Sequence, residues 1–332
     1  MHLICDSPDF ARQLLPGEVV DRLSGEPLKD PTLRLLEHEF LEQGSDTLSA
    51  ELPSGTWRCL VLARYASRSQ YDRMIGLARS GSRVPDRTLC LAGAGDGFHG
   101  FKGRPWSADP GNIHLTVHLA PRRPIEQAQV AFTVLAALSI VDALDRIPEL
   151  RDQATIKWVN DVLLDDAKVA GLLAYTLSQS STVSSAVLGI GLNVETVPEV
   201  RRTDFVPAVA SLRQLAPDAP GVSQGQVLMK LMEALDHNYR VLLDQGYAPL
   251  LARYRDRSCI EGAHVAICSD ESDGKPEVLR QGRVTALGSG LELYLDNSAE
   301  PVTRGRLMFL DKPPRRGSTS DPVGSKRDRG RR

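Results

Sequence analysis

Two lysines eleven residues apart, Lys157 and Lys168, flank an Asn160–Asp161 pair in the run KWVNDVLLDDAKVAG. A lysine inside an apolar run such as KVAGLL holds its ammonium partly out of water, which is costly unless an anion meets it. Lys168 is therefore a candidate ligand-facing group; the other reading is an edge residue whose charge snorkels to solvent. Upstream, LAGAGDGFHGFKGRPW places glycines at 93, 95, 97, 100 and 103 beside Lys102 and Arg104. Glycine lets backbone N–H groups approach an anion closely, and two cations on the same loop suit a phosphate. The run matches neither GxGxxG opening a helix nor GxxxxGK[ST], so it equally reads as a flexible loop. Downstream, GIGLNV ends a strand in small residues and in Asn193, whose side chain can hydrogen-bond a phosphate or a metal-bound water.

The elements that must position these groups alternate between strand and helix. The pattern predicts strands at Trp57–Tyr65, Thr88–Ala92 and Asn112–Ala120, with a helix from Gln70 to Ala78. A long helix opening at Pro124 and running to Ile147 comes after them. The apolar runs TIKW, DVLL, KVAGLLAYT and SAVLGIGLNV then read as consecutive strands of one sheet. Helices at about Gly225–Leu243 and Pro249–Arg257 come next. Beyond Cys259 the texture changes to HVAIC, GRVTAL, LELYL and GRLMFL, too few strands for a sandwich but suited to a small barrel. Residues 1–56 offer a short strand at Leu3–Cys5, a helix over Leu33–Leu41 and no legible function.

Composition bounds the rest. A chain of 332 residues with 42% hydrophobic and 25% charged residues is globular and long enough for about two domains. Its net charge of −2 is uneven. Residues 312–332 carry eight Lys or Arg against two Asp and almost no apolar side chains, which predicts a disordered basic tail. The remaining body is at −8 by difference, which argues against nucleic-acid binding. Five scattered cysteines without a CxxC pair form neither a disulfide framework nor a zinc site, and MHLICDSPDF lacks the features of a signal peptide. A cytoplasmic location is expected. The most apolar run, Gln127–Val141, is closed by Asp142 and Asp145 and reads as a buried helix, with no membrane partner. His114 and His118 fall on one strand face, but no third ligand accompanies them and no metal is expected there.

Taken in order, the glycine-rich loop ending in GRPW, the KWVND turn, the lysine before VAG and the GIGLNV strand resemble the catalytic domain of biotin protein ligases, within the biotin/lipoate protein ligase superfamily. The resemblance covers residues 65–200. It implies an α/β (α+β) fold with a central mixed β-sheet and helices, a class II synthetase-like ligase domain over 57–257, and a small SH3-like β-barrel over 258–311. Residues 1–56 remain a segment of unassigned role. It also implies ATP and Mg2+ as cofactors and biotin as substrate. Biotin's carboxylate would attack the α-phosphate to give biotinyl-adenylate, and a lysine of a biotin carboxyl carrier domain would take the acyl group.

By position, the resemblance makes Lys168 the catalytic charge where two anions meet. It puts Gly100, Lys102, Gly103, Arg104, Lys157, Asn160, Asp161, Gly171, Gly191 and Asn193 around the adenylate, with Asn193 and Asp161 as Mg2+ ligands. Trp106 is a ligand wall or a core aromatic. SRSQYD resembles the family's Ser-Thr-Asn segment, which would bring Ser69 and Gln70 to the biotin ring; a plain helix N-cap is the alternative for Ser69. The sequence departs from the family pattern at Val159, at Tyr175, and above all in the loop, where His99 and Phe101 stand in place of two arginines and imply a weaker hold on the adenylate. The alternatives are a lipoate or octanoate ligase or transferase, against which stand the missing RRxSGGG-like loop and the lack of a cysteine between Lys168 and Cys259, and a non-catalytic protein that binds biotin or a carrier. A homodimer is compatible with the sequence. The first 56 residues contain no basic recognition helix, which argues against a DNA-binding repressor.

Overall fold

In a computed structural model, residues 1–15, 17–52, 55–269 and 277–312 are described; all but Lys312 of the expected basic tail lies outside them. Ten strands form the main sheet among the described residues. They are β1 (His2–Cys5), β2 (Leu48–Glu51), β3 (Cys59–Ala63), β4 (Thr88–Ala92), β5 (Ile113–Leu119), β6 (Arg123–Pro124), β7 (Thr155–Lys157), β8 (Asp161–Leu164), β9 (Ala167–Gln179) and β10 (Thr182–Leu192). The spatial order is β2-β1-β3-β4-β5-β10-β9-β8-β7, with β6 attached to β10. β1, β3 and β4 run parallel and the remaining pairs antiparallel, so the sheet is mixed.

The central strands read as unbroken apolar runs because both faces are covered. Along β1, β3 and β4 the side chains alternate between two cores. Leu3, Leu60, Leu62, Leu89 and Leu91 face the layer containing α5 (Ala128–Asp145) and α7 (Gln224–Gln245), while Ile4, Val61, Ala63 and Cys90 face α3 (Pro31–Phe40) and α4 (Gln70–Arg79). The remaining helices are α1 (Pro8–Leu14), α2 (Gly17–Val20), α6 (Leu212–Leu215) and α8 (Ala248–Arg257). α5 is apolar enough by length and composition to cross a membrane, yet twelve of its eighteen side chains are buried under the sheet. An all-round apolar helix of this kind is what a three-layer core requires.

One expectation changes. The long helix does not open at Pro124: Arg123 and Pro124 form a short strand against Thr182 and Val183, and Gln127 is left-handed at φ 50°, so helical geometry starts at Ala128. Residues 1–56, left without a role by the sequence, contribute β1 and β2 to the main sheet. β1 pairs with β3 in parallel, His2 opposite Cys59 and Cys5 opposite Leu62, with β2 on its other side.

The C-terminal strands β11 (His264–Cys268), β12 (Val278–Leu287), β13 (Leu293–Leu295) and β14 (Arg306–Phe309) form an antiparallel sheet in the order β13-β12-β11-β14. Side chains of the main domain anchor it through backbone carbonyls. Trp158 Nε1 donates to Leu291 O at 2.7 Å, Arg255 to Leu287 O at 2.7 Å and the Tyr247 hydroxyl to Ser289 O at 2.9 Å.

α7 starts against α1 at Gly225, where a Cβ would come within 2.8 Å of the Gln13 and Leu14 carbonyl oxygens. Alanine favours helix by about 1 kcal/mol over glycine. Backbone oxygens cannot rotate away as a side chain would, and overpacking of this kind costs roughly 1–3 kcal/mol. Gly225→Ala is therefore expected to destabilise the protein and lower its melting temperature by several degrees, measured by calorimetry or urea unfolding. An unchanged or raised midpoint would show that α1 docks loosely.

Candidate active site

The glycine-rich segment after β4 folds into a small hairpin. Trp106 N–H donates to Phe98 O at 3.0 Å and Gly100 N–H to Arg104 O at 2.6 Å, with Lys102 and Gly103 left-handed at φ 57° and 72° at the tip. This hairpin lies over a cavity of about 780 Å³, bordered also by the first turn of α4, β8–β10, the 198–209 loop and residues 303–307 of the small sheet.

The cavity floor is set by register. Gly171 on β9 is opposite Gly191 on β10, and Gly191 is opposite His114 on β5. A Cβ on Gly191 would lie 2.3 Å from the Trp106 ring, and one on Gly171 would lie 3.3 Å from it. The indole therefore rests directly on the sheet, at a distance only glycine allows. Its Nε1 donates to His114 Nδ1 at 3.4 Å, while His114 Nε2 lies 3.0 Å from Asp109 O. Burial lowers the His114 pKa, and one donated and one accepted bond suit the neutral ring.

A bulge in β9 brings the lysine onto this floor. Ala170 is opposite Val162 and Lys168 is opposite Leu163, so Val169 is an extra residue. The bulge re-aims Lys168: its Nζ lies 3.1 Å from where a Gly171 Cβ would be, 2.6 Å from Asp161 Oδ1 and 5.7 Å from the Trp106 ring centre. On the other edge of β9 the β10 ladder continues in register, Asn193 N–H donating to Val169 O at 2.8 Å. Asn193 is 1% exposed; its amide nitrogen donates to Ala210 O at 3.1 Å, but its Oδ1 has no partner. A buried acceptor left open at a cavity is where a ligand donor or a cation would bind.

Lys157 and Lys168 differ in role. Lys157 is buried, donates to Phe205 O and faces the Phe309 ring. Burial depresses its pKa, with Asp161 opposing that shift and Lys168 adding to it. Asn160 donates from its side chain to Leu172 O at 2.7 Å, tying the turn before β8 to β9. The cavity wall carries Lys102, Arg104, Lys157 and Lys168, together with Arg201, Arg304 and Arg306, against Asp161 and Glu199. In a molecule of net charge −2 this is a local inversion of sign, and it selects an anionic ligand.

Of the residues expected at the site, Ser69, Gly100, Lys102, Arg104, Trp106, Lys157, Asn160, Asp161, Lys168, Gly171, Gly191 and Asn193 all border this cavity. Gln70 and Gly103 do not. Ser69 caps α4, its hydroxyl accepting from Asp72 N–H at 3.3 Å. A helix turns about 100° per residue, and Gln70 is carried into the interior, where neither amide atom has a partner. Gly103 serves the hairpin's tip instead. His118, on the same face as His114, bonds Pro85 O and Ser185 Oγ, both at 2.9 Å. Phe101, about half exposed, is flanked by Lys102 and Arg104 at 5.8 and 6.0 Å. Sequence reasoning missed Tyr71, Phe98, His114, Phe205 and the two arginines of the 303–307 segment. Tyr71 and Phe98 adjoin recognised motifs; nothing in the sequence points from Arg304 and Arg306 to a loop two hundred residues upstream.

Residues 81–193 match the model of the biotin/lipoate A/B protein ligase family. The chain is 26% identical to the Bifunctional ligase/repressor BirA of Bacillus subtilis over 170 residues, 51% of either chain. The match thus spans about half the length of that relative. It is 29% identical to the Biotin--[acetyl-CoA-carboxylase] ligase of Mycobacterium tuberculosis over 239 residues, 70% of this chain and 80% of that one. The fold is similar to that of a biotin protein ligase from Aquifex aeolicus in complex with biotin and ATP, with TM-score 0.58 and 20% identity over 75% of this chain and 97% of that one.

If the indole is seated by the missing Cβ, Gly191→Ala must lift Trp106 from the floor while leaving the sheet intact. The expected outcome is a red-shifted Trp106 emission, isolated by subtraction of a Trp106→Phe background, with an unchanged circular-dichroism spectrum. Unaltered emission would show that the ring is not held there.

Proposed function

We propose that this chain is an ATP-dependent biotin protein ligase that activates biotin as biotinyl-adenylate and passes it to a lysine of a biotin carboxyl carrier domain, a reading supported by the match of residues 81–193 to the biotin/lipoate A/B protein ligase family. The observation that carries this reading is the convergence of Lys168, the GIGLNV floor and the cationic hairpin on one cavity. An acyl-adenylate needs both an apolar slot and a concentration of positive charge. Tyr71, Phe98 and Trp106 offer the first, and the lysines and arginines of the wall the second.

In the first step a carboxylate oxygen attacks the α-phosphorus, an acyl–O–P bond forms, and the bond to pyrophosphate breaks. Two anions must approach one another, and the barrier is mainly electrostatic. Lys168 supplies a fixed ammonium at that junction, held at 2.6 Å by Asp161 until an anion competes for it. In the second step the acceptor amine attacks the acyl carbon, the acyl–O bond to AMP breaks and the amine nitrogen loses a proton; cover of the mixed anhydride by the hairpin would keep water from the same carbon. Mg2+, which this reading includes, would screen the nucleotide phosphates, with the unpartnered Asn193 Oδ1 as the chain's donor and Asp161 as a second, shared with Lys168. The donor set is small, which suits an ion that keeps most of its ligands from phosphate and water. The same reading places the protein in the cytoplasm, where its five buried, unpaired cysteines stay reduced.

Biotin-dependent ATP–pyrophosphate exchange tests the assignment. Exchange with biotin is expected, and exchange with octanoate or lipoate but not biotin would refute the substrate. Lys168→Ala is expected to lower the exchange rate by about a hundred- to thousandfold with a much smaller change in ATP affinity. Near-normal exchange in that variant would remove Lys168 from its role.

A further inference from the structure

The glycine-rich hairpin holds one contact that anion binding does not require. His99, on its ascending arm, has Nδ1 3.0 Å from Gly100 O and Nε2 2.9 and 3.1 Å from the two carboxylate oxygens of Asp72 on α4. Both ring nitrogens therefore face acceptors. A neutral imidazole has a single N–H and satisfies one of them; the imidazolium satisfies both. Asp72 lies in the first turn of α4, where its backbone N–H bonds the Ser69 cap, and Ser69 and Tyr71 border the cavity. The pair thus joins the hairpin to the helix across the mouth of the site.

We propose that His99 is a positioning residue: as the imidazolium paired with Asp72 it latches the hairpin from Phe98 to Trp106 over the cavity, and loss of its proton, which removes the charge and leaves one N–H for two acceptors, loosens the hairpin and speeds escape of a bound acyl-adenylate. The proposal rests on the biotin ligase reading for its ligand, but the latch itself is a property of the ligand-free chain. Where the family pattern has an arginine of permanent charge, this chain has a group whose charge depends on pH.

The groups around the ring are few. From α4 come the Asp72 carboxylate and the edge of the Tyr71 ring, at 6.3 Å between centroids and 75°. Burial keeps the Tyr71 phenol protonated. From the hairpin itself comes the Gly100 carbonyl; Lys102 and Arg104 lie over the Phe101 ring, and Arg104 Nε donates to Phe101 O at 2.9 Å. The Gly100 carbonyl foremost, and then Asp72, raise the His99 pKa against the effect of partial burial. A raised value in the folded state means the latch is complete below the ordinary imidazole value of about 6.5 and is lost as pH climbs through the higher folded value. The His99 and Asp72 side chains are 28% and 53% exposed, so solvent screens the pair. A half-exposed ion pair changes an equilibrium by about two- to fivefold.

Two measurements on the full chain test this between pH 5.5 and 9. The first is hydrogen exchange of amides 97–106 in the ligand-free protein, corrected for intrinsic pH dependence. The second is the dissociation rate of synthetic biotinyl-5′-adenylate. Wild type is expected to lose protection, and to release the adenylate faster, by about two- to fivefold as pH rises. His99→Arg should stay protected and slow throughout, and Asp72→Asn unprotected and fast throughout. A flat wild-type loop profile, or an Asp72→Asn protein that keeps the wild-type profile, overturns the latch. A responsive loop with pH-independent adenylate release overturns its control of retention. A responsive loop in a protein that binds no biotinyl-adenylate supports the latch and refutes the ligase reading instead. Should Asp72→Asn fail to fold, the contrast between His99→Arg and wild type decides alone.

Discussion

The close approach of one indole to one pair of glycines governs the geometry of the site. Trp106 can lie on β9 and β10 only because Gly171 and Gly191 meet across the strands and present no Cβ. Once the ring is there, its Nε1 reaches His114 on the next strand, and the backbone at Trp106 closes the hairpin through Phe98. The cationic tip is thereby set over the floor. A methyl group at Gly191 would collide with the ring itself, so the hairpin's height above the sheet is set by side-chain absence rather than by any attraction.

Charge completes what sterics begin. Lys168, with its side chain only 19% exposed, would be a poor occupant of the cavity floor without a partner, since withdrawing an ammonium from water is costly. Asp161 offsets that cost in the ligand-free protein, and the β9 bulge makes the pairing possible by turning Lys168 toward the floor. One irregular residue therefore sets the lysine beside the aspartate, and the regular β9–β10 ladder places Asn193 next to them. Lys157, hydrogen bonded to Phe205 and buried, supports the wall that this unit faces.

The outer parts of the chain supply walls and support. β1 carries β2 and pairs with β3, and its Ile4 packs with Val61 in the core that α3 and α4 share; α4 in turn presents Ser69 and Tyr71 to the cavity. At the other end, Trp158, Tyr247 and Arg255 hold the small sheet by its carbonyls, and the segment from Thr303 to Leu307 reaches the cavity. The site is thus assembled from at least five separated stretches of chain.

Most of the strands and helices were legible in the sequence because buried strands leave unbroken apolar runs and buried helices leave long ones: Thr88–Ala92 and the run of four strands from Thr155 to Leu192 are visible without coordinates. So were the lysine, the Asn160–Asp161 pair and the glycines, since a charge or a missing side chain inside an apolar run violates local expectation. The fold decided what local pattern could not encode. Gln70 and Ser69 are neighbours in sequence, but helical rotation sends one to the core and the other to the cavity. Pro124 reads as a helix start, yet pairing with β10 keeps it extended and Gln127 takes the turn. The place of residues 1–56 in the sheet was not legible, because four-residue strands carry too little pattern to announce their partners. The contact of His99 with Asp72, and the arrival of Arg304 and Arg306 at the cavity, depend on distances across the folded chain, which composition and spacing do not contain.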